Sequence, residues 1–367
     1  MPKTLMFVGC CNRALPYFAT ANGEGISAFD FDEATGRTSP LGVTPGIDNP
    51  TFIAVSPDGR TLYATSEILG WNEGTVTAYA INRATGGLDY LNKQPTRGSI
   101  AAQMSFDRAG KYLLLVNYGV GLMTQKPNRS VVVFPLLPDG SVGAPIAEAT
   151  HSGPGHDPIR QDRPHAHCVL PTPDNRYIIV SDLGLDQLIA YRFDGGITQQ
   201  TQLTLPPGSG PRHFVFHPHS LHAYVANELN STVASLDFDA ADGQLAVRSI
   251  TATVPDTAIA GNHCSEIKIS ADGRWLYVGN RGHDSLSRFS IDKATGAAKL
   301  VGNTPSGGKT PRHFAFDPSG AFLAVANQDS DSVAIFSVNP ENGDLAMLPD
   351  ATQTGTPTSI AFVRSAL

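Results

Sequence analysis

The chain has 367 residues, of which 41% are hydrophobic, and its formal net charge is −7. This composition predicts a packed core, and the lack of a basic cluster argues against nucleic acid or an anionic membrane as a partner. No apolar run reaches the roughly 18 residues of a membrane helix, and the N-terminal "MPKTLMFVGCCN" has the pattern of a strand rather than of a signal peptide. The four cysteines form no C-x-x-C pair and are expected to be reduced, so we predict a cytoplasmic protein.

The first predicted elements are two strands, "TLMFVG" from Thr4 and "GISAFDF" from Gly25. Six copies of one unit follow, each with an apolar run, a tight turn, a second apolar run and then a third. The six turns lie at Asp58, Ala109, Asp174, His219, Asp272 and Ser319. Their spacing of 45 to 65 residues, with a weak fourth strand closing each unit, is typical of the blades of a β-propeller. The longest interval contains an insertion, residues 151–164.

The last predicted element, "TPTSIAFV" from Thr356, has the pattern of a first strand without partners. Pairing it with the strands at Thr4 and Gly25 completes a seventh blade and removes two exposed edges. We therefore predict an all-β protein with one domain over residues 1–367. It is a seven-bladed β-propeller of four-stranded antiparallel blades, and the N- and C-terminal strands close the ring within one blade. A six-bladed ring would leave both terminal segments unexplained.

Equivalent positions of the repeat can be compared within the chain, because a purely structural role favours similar residues there. The first strand of each blade lines the central channel, and ligands bind where the loops of the blades converge on one mouth. At the start of the first strand the equivalent residues are Thr51, Ala102, His167, Arg212, Ser265, Arg312 and Thr358. At the end of the second strand they are Glu67, Tyr118, Leu183, Glu228, Arg281 and Gln328. The charged and imidazole side chains stand out from the small or neutral residues and are candidates for function.

These residue types together suit chemistry on a small anionic substrate. Arginine holds a carboxylate or phosphate and stabilises a developing oxyanion, whereas histidine or glutamate can move a proton. His167, Arg212, Glu228 and Arg281 come from three consecutive blades and can face one pocket. The alternative is that these side chains form salt bridges that rigidify the mouth.

Four segments carry a resemblance to a known family: "RPHAHCVLPTPDNRYIIVSDLGLD", "GSGPRHFVFHPHSLHAYVANELNSTV", "SEIKISADGRWLYVGNRGHDS" and "PRHFAFDPSGAFLAVANQDSDSV". Over nearly its whole length the chain resembles the seven-bladed lactonases, which include bacterial propeller-type 6-phosphogluconolactonases and fungal 3-carboxy-cis,cis-muconate lactonizing enzymes. This resemblance implies catalytic roles for His167, Arg212, Glu228 and Arg281. The chain departs from the family at residues 12–25 and 119–130, two loops that we expect over a mouth, where they would alter the choice of substrate.

The remaining histidines raise the question of a metal. His165 and His167 are two residues apart, and alternate residues of a strand share a face, so a metal pair is geometrically possible. No H-E-x-x-H or calcium-loop pattern accompanies them, and the resembled family works without metal, so we predict neither metal nor cofactor. His165 is predicted to contact the substrate or to orient His167, and the repeated His213 and His313 are predicted to be structural. The residues predicted to bind the substrate are His165, Arg312, Glu67 and Gln328.

Three functions are open at this point. The first is hydrolysis of a sugar-acid lactone, with Glu228 or His167 as general base. The substrate that we expect is 6-phospho-D-glucono-1,5-lactone. The second is the lactone-forming cycloisomerisation of a muconate, whose carboxylates would bind the same arginines. The third is a non-catalytic propeller that binds a ligand or protein, for which an apolar patch at the mouth is expected. We favour hydrolysis because "SDLGLD" and "NRGHDS" resemble the bacterial branch, and we expect a monomer, since a closed ring hides its own edges.

Overall fold

The repeated unit folds as a four-stranded antiparallel sheet, and seven such sheets are found in residues 3–120 and 126–364, which the computed structural model describes. The first three strands are β1 (Thr4–Cys10), β2 (Gly25–Phe31) and β3 (Thr38–Thr44). Blade 1 contains β4 (Ile53–Val55), β5 (Thr61–Ser66), β6 (Thr75–Ile81) and β7 (Leu88–Pro95). Blade 2 contains β8 (Ala101–Phe106), β9 (Tyr112–Asn117), β10 (Val131–Pro135) and β11 (Ala147–Ala149). Blade 3 contains β12 (Ala166–Pro171), β13 (Tyr177–Asp182), β14 (Gln187–Phe193) and β15 (Ile197–Thr204).

The second half of the ring continues in the same order. Blade 4 contains β16 (Pro211–Phe216), β17 (His222–Asn227), β18 (Thr232–Phe238) and β19 (Leu245–Ala252), and a short helix, α1 (Asp256–Ile259), follows it. Blade 5 contains β20 (His263–Ile269), β21 (Trp275–Arg281), β22 (Ser285–Ile291) and β23 (Ala298–Pro305). Blade 6 contains β24 (Pro311–Phe316), β25 (Phe322–Asn327), a 3-10 turn (Gln328–Ser330), β26 (Ser332–Val338) and an outer strand divided into β27 (Leu345–Met347) and β28 (Thr352–Gln353). The last strand is β29 (Pro357–Arg364).

Blade 7 joins the two ends of the chain, with the strand order β29-β1-β2-β3. In the antiparallel register of β1 and β29, Thr4 lies opposite Arg364 and Phe7 lies opposite Ala361. Arg364 Nε also donates a hydrogen bond of 2.7 Å to Glu33 Oε1. The predicted seven-bladed ring, closed by its terminal strands, is therefore confirmed. No helix among the described residues has the length and apolarity needed to cross a membrane.

The hydrophobic core lies between neighbouring blades, where seven apolar clusters each join one adjacent pair. Between blades 6 and 7, for example, Phe322 and Ile335 pack in one cluster with Met6 and Ile360. The second strands are covered on both faces, so every residue of β5, β13 and β25 is buried. The outer strand β3 is largely exposed. This burial leaves the inner ends of the strands as the place where polar side chains meet.

In blade 7 a register shift skips Thr358 near the start of β29. A β-bulge likewise interrupts the pairing near the start of the first strand in blades 2 to 6. The register shifts lie between Ala101 and Gln103, Ala166 and Cys168, Pro211 and Phe214, Cys264 and Ile267, and Pro311 and His313. A bulge leaves residues out of the ladder and re-aims their side chains. The residues skipped in the pairing are Ala102, His167, Arg212, His213, Ser265, Glu266 and Arg312. Several of the residues that stand out in the sequence are therefore released from the hydrogen-bonded ladder by these bulges. They lie at the inner ends of the blades.

Truncating a buried side chain of the closing strand should weaken the ring. Ile360→Ala removes contacts between blades 6 and 7, and we expect the free energy of unfolding to fall by about 2–5 kcal/mol. Urea unfolding followed by circular dichroism measures the change. Ile146→Ala is the matched control, because Ile146 is 52% exposed and Ile360 is 3% exposed. Equal unfolding midpoints for the two variants would contradict a closing role for β29.

Candidate active site

One large cavity lies at the mouth where the first strands begin and the second strands end. Its volume is about 570 Å³, within the range of pockets that bind small molecules. The charged and imidazole residues that line it are Glu67, Arg160, His167, Arg212, Glu228, His263, Arg281, Arg312 and Asp329. We call this space the mouth cavity. It contains seven of the eight residues predicted from the sequence as catalytic or substrate-binding, His165 being the exception.

Glu228 is the centre of a group of ion pairs in this cavity. Its Oε2 atom lies 3.0 Å from Arg212 Nε and 2.8 Å from Arg281 Nη2. Its Oε1 atom accepts a hydrogen bond from Arg160 Nη2, and the Glu228 side chain is only 5% exposed. We call these four residues the Glu228 cluster. One carboxylate faces three guanidinium groups, so this side of the cavity keeps net positive charge.

Backbone carbonyls of blade 5 hold two of the arginines in place. Arg212 Nη1 donates to the Ser265 carbonyl at 2.8 Å, and Arg281 Nη2 donates to the Cys264 carbonyl at 3.1 Å. Both guanidinium groups are thus held in place by backbone atoms of the protein. Fixed donors are what the stabilisation of a developing negative charge requires, since no reorganisation is then needed during the reaction.

The charges of the cluster determine which groups carry protons. Burial by itself would raise the pKa of the Glu228 carboxyl, but Arg281, Arg212 and Arg160 hold it well below its ordinary value. Glu228 is therefore a carboxylate at neutral pH and a weak base. Burial and then the charge of Arg212 lower the pKa of His167 well below its ordinary value, so its imidazole is neutral.

His167 is buried but lines the mouth cavity. Its ring meets those of Tyr118 and His213 edge-on, with centroids 5.8 and 5.2 Å apart. Nδ1 has no hydrogen-bond partner among the described residues. The residue lines the cavity, and a neutral imidazole can accept a proton from water.

Glu67 and Arg312 line the cavity from blades 1 and 6. The hydroxyl of Tyr17, from the N-terminal insertion, donates to Glu67 Oε1. Arg312 Nη2 is 3.8 Å from Glu67 Oε2, too far for a direct hydrogen bond, and its guanidinium lies over the Phe18 ring at 5.4 Å. The insertion therefore builds this side of the cavity, as expected for residues 12–25.

Gln328 and Asp329 complete this side of the cavity. Gln328 Nε2 donates to Asp329 Oδ1 at 2.9 Å, and Gln328 Oε1 has no partner among the described residues. Thr310 Oγ1 donates to the other oxygen of Asp329. Gln328 and Asp329 both line the cavity and carry acceptor oxygens, which suit hydroxyl groups.

A second buried carboxylate, Glu266, is freed by the bulge of blade 5 and does not line the mouth cavity. Its oxygens lie 2.9 Å from His213 Nδ1, 3.0 Å from His313 Nε2 and 3.3 Å from Lys268 Nζ. Burial lowers the pKa of both histidines, that of His213 to about 4. These contacts tie blades 4, 5 and 6 together, in keeping with the structural role predicted for the two histidines.

His165 lies outside the mouth cavity, so the prediction that it contacts the substrate does not fit its position. Regular strand alternation does not relate His165 to His167, because His165 precedes β12 and a bulge between Ala166 and Cys168 takes His167 out of the ladder. The His165 ring instead stacks on Tyr118 at 4.0 Å, and its Nδ1 donates to the Tyr118 carbonyl at 2.8 Å. His165 therefore supports Tyr118, which lines the cavity.

No group of three or more His, Cys, Asp or Glu side chains in the described part of the chain is placed to hold a metal ion. His151, the first residue of the insertion, is hydrogen-bonded to Asp182 and to the Tyr191 hydroxyl. It ties the insertion of residues 151–164 to blade 3.

Arg160 and Tyr17 line the cavity but were not singled out in the sequence. Both come from insertions, residues 151–164 and 12–25, which have no counterpart in the other blades and so escape a comparison of equivalent positions. A cationic residue in a loop next to the channel was the available signal. The loop at residues 119–130 contributes Val120, while residues 121–125 lie outside the described part of the chain.

Comparison with known proteins agrees with this architecture. The family described as "Lactonase, 7-bladed beta-propeller" matches residues 6–362. A 6-phosphogluconolactonase of Bacillus subtilis is 33% identical over 365 residues, with 99% of each chain covered, and one of Formosa agariphila is 34% identical, with 94% of this chain and 95% of the relative covered. The solved structure of a periplasmic gluconolactonase from Pseudomonas aeruginosa is 30% identical, with a TM-score of 0.88 over 98% of this chain and 99% of that one.

The chain belongs to the seven-bladed β-propeller lactonase family. It is accordingly a lactonase, an enzyme that hydrolyses a cyclic ester, and its substrate is a small lactone. The family resemblance predicted from the four sequence segments is confirmed.

Stability should depend on pH through the buried histidines. The pKa of His213 is about 4 in the folded chain and about 6.5 in an unfolded one. Between these values the unfolded state binds the proton, so stability falls as the pH drops from about 6.5 toward 4. His213→Gln keeps a donor for Glu266 but cannot titrate, and the loss of stability between pH 7 and pH 5 should be smaller by about 2 kcal/mol.

Urea unfolding at the two pH values measures this loss. The control is His219→Gln, a change in the exposed turn of blade 4, which should leave the loss as it is in the wild type. If both variants lose as much stability as the wild type, the buried histidines do not set the pH dependence.

Proposed function

We propose that this lactonase hydrolyses the δ-lactone of a phosphorylated sugar acid, 6-phospho-D-glucono-1,5-lactone, to 6-phosphogluconate. The observation that carries the proposal is the Glu228 cluster, in which three arginines surround one buried carboxylate beside the neutral His167. Its positive charge suits an anionic substrate. Two relatives at 33% and 34% identity carry the name of this activity.

The proposed reaction opens the ring at C1. Water adds to the carbonyl carbon and passes a proton to His167, while the oxyanion accepts N–H groups of Arg212 and Arg281. The bond between C1 and the ring oxygen then breaks, and that oxygen takes the proton from the imidazolium to become the C5 hydroxyl. The new carboxylic acid ionises and releases a proton to solvent.

We assign the role of base to His167 because arginines already contact both oxygens of Glu228. The pKa of each group is lowered, but the neutral imidazole of His167 lines the cavity without an ion pair to an arginine. In this proposal Glu228 orients Arg212 and Arg281 instead. The positive charge comes from these guanidinium groups, so the reaction needs no metal ion.

The side of the cavity formed by Glu67, Gln328 and Asp329 favours a sugar lactone over a muconate. Its oxygens can accept hydrogen bonds from the hydroxyl groups of a sugar acid. A muconate carries several carboxylates, and these would be repelled by Glu67 and Asp329. A binding propeller is also disfavoured, because the mouth is charged rather than apolar. The monomeric state and the cytoplasmic location remain predictions, and one solved relative is periplasmic.

Loss of either central group of the cluster, Arg212 or Glu228, should strongly reduce the rate of catalysis. We expect Arg212→Ala to lower kcat for 6-phosphogluconolactone by about 100- to 1000-fold, because one oxyanion donor is removed. Glu228→Gln should cause a similar loss, since it leaves the buried arginines without their counter-charge. Acid release at constant pH measures the rate, after subtraction of spontaneous hydrolysis.

The matched control is Arg248→Ala, a surface arginine that pairs with Asp237 on the outer part of blade 4. Circular dichroism confirms that each variant is folded. Activity of the wild type should survive EDTA, and no lactone should form from 3-carboxy-cis,cis-muconate. Full activity of Arg212→Ala, or loss of wild-type activity in EDTA, would contradict the proposed mechanism.

A further inference from the structure

Arg160 differs from the other two arginines of the Glu228 cluster in its origin. Arg212 and Arg281 belong to strands of the propeller, whereas Arg160 belongs to the insertion of residues 151–164. Asp157 Oδ1 accepts the backbone N–H groups of Ile159 and Arg160 at 2.7 and 3.1 Å. This turn fixes the backbone from which the Arg160 side chain extends.

The next residue anchors the insertion to blade 3. Gln161 is fully buried, and its Nε2 donates to the Leu183 carbonyl and to Asp186 Oδ1, both at 2.8 Å. Asp186 in turn accepts the backbone N–H groups of Gly208 and Gly210. The insertion is therefore a built part of the site that directs Arg160 toward the mouth cavity.

The side chain of Arg160 is held more weakly than its neighbours. It is 37% exposed, against 3% for Arg212 and 17% for Arg281. Its described partners are the Glu228 carboxylate and the Tyr118 side chain, with no backbone carbonyl among them. The other two guanidinium groups each donate to a carbonyl of blade 5. Arg160 can thus leave Glu228 by rotation of its side chain alone.

We propose that Arg160 is the residue that recognises the anionic group of the substrate, and that it moves from Glu228 to this group when the substrate binds. This inference rests on the proposed function and deepens it, because it assigns the phosphate to one residue. A phosphate dianion offers several strong acceptors, whereas Glu228 shares one carboxylate among three cations. A guanidinium binds phosphate in bidentate fashion.

The position of Arg160 fits the chemistry of the substrate. In the δ-lactone the phosphate is separated from the carbonyl only by the ring oxygen, C5, C6 and the ester oxygen. Arg160 shares Glu228 with the two arginines assigned to the carbonyl, so the two subsites are adjacent. Arg312 is a weaker candidate, because its guanidinium lies over the Phe18 ring and faces the Glu67 carboxylate.

Departure of Arg160 would also change Glu228. Its Oε1 atom would lose its described donor and could accept a hydrogen bond from the attacking water or from a substrate hydroxyl. A lactone without an anionic group would leave Arg160 on Glu228. The residue would therefore discriminate between phosphorylated and unphosphorylated lactones.

The test compares Arg160→Gln, Arg160→Lys and the control Arg163→Gln, which alters the same insertion outside the mouth cavity. Each is assayed with 6-phosphogluconolactone and with unphosphorylated glucono-1,5-lactone. We expect Arg160→Gln to lower the ratio of kcat/KM for the two substrates by about 10- to 100-fold, the effect of one charged hydrogen-bond partner. The loss should fall mainly on KM for the phosphorylated lactone, Arg160→Lys should restore part of it, and Arg163→Gln should keep the wild-type ratio.

A binding measurement separates this inference from the proposed function. Calorimetric titration with the stable acids 6-phosphogluconate and gluconate needs no catalysis. Tighter binding of the phosphorylated acid by the wild type, lost in Arg160→Gln, supports the role of Arg160 even if neither lactone is hydrolysed, an outcome that would refute the proposed function alone. An unchanged preference in Arg160→Gln, or equal losses with both ligands, would overturn the inference.

Discussion

A buried carboxylate surrounded by guanidinium groups is the interaction on which the site depends. Placing the buried Arg212 and Arg281 side by side is unfavourable by itself, because each charge loses water and repels the other. The negative charge of Glu228, at the end of the strand next to that of Arg212, offsets this cost. Backbone carbonyls of blade 5 accept further hydrogen bonds from the two arginines. The excess of positive charge that remains is what an anionic lactone and its oxyanion can use.

The rigid frame for this cluster comes from the way in which the ring is built. An apolar cluster lies between each pair of adjacent blades. The pairing of β1 with β29 joins the two ends of the chain within blade 7 and so closes the ring. Bulges at the inner ends of the blades then free successive residues, such as Arg212 and His213, from the ladder. Arg212 lines the mouth cavity, and His213 contacts Glu266.

Insertions add to this frame the parts that differ between blades. Residues 12–25 carry a small apolar core of their own, formed with Cys11 by Leu15 and Phe18, and they place Tyr17 against Glu67. Residues 151–164 are anchored by the buried Gln161 and place Arg160 against Glu228. A constant ring with variable loops can thus keep one reaction while the shape and charge of the cavity change.

The sequence by itself determined the all-β class, the number of blades and the closure of the ring, because strand periodicity and turns are local and the unit repeats. Comparison of equivalent positions also found Arg212, Glu228 and Arg281, since charged residues depart from the small residues that this part of a blade otherwise carries. Only the tertiary structure decided that His165 stacks on Tyr118 instead of lining the cavity, because His165 precedes β12 and a bulge follows it, so strand alternation does not set its direction. It alone brought Arg160 to Glu228, because the path of an insertion depends on distant anchors such as Asp186 and has no periodicity to reveal it.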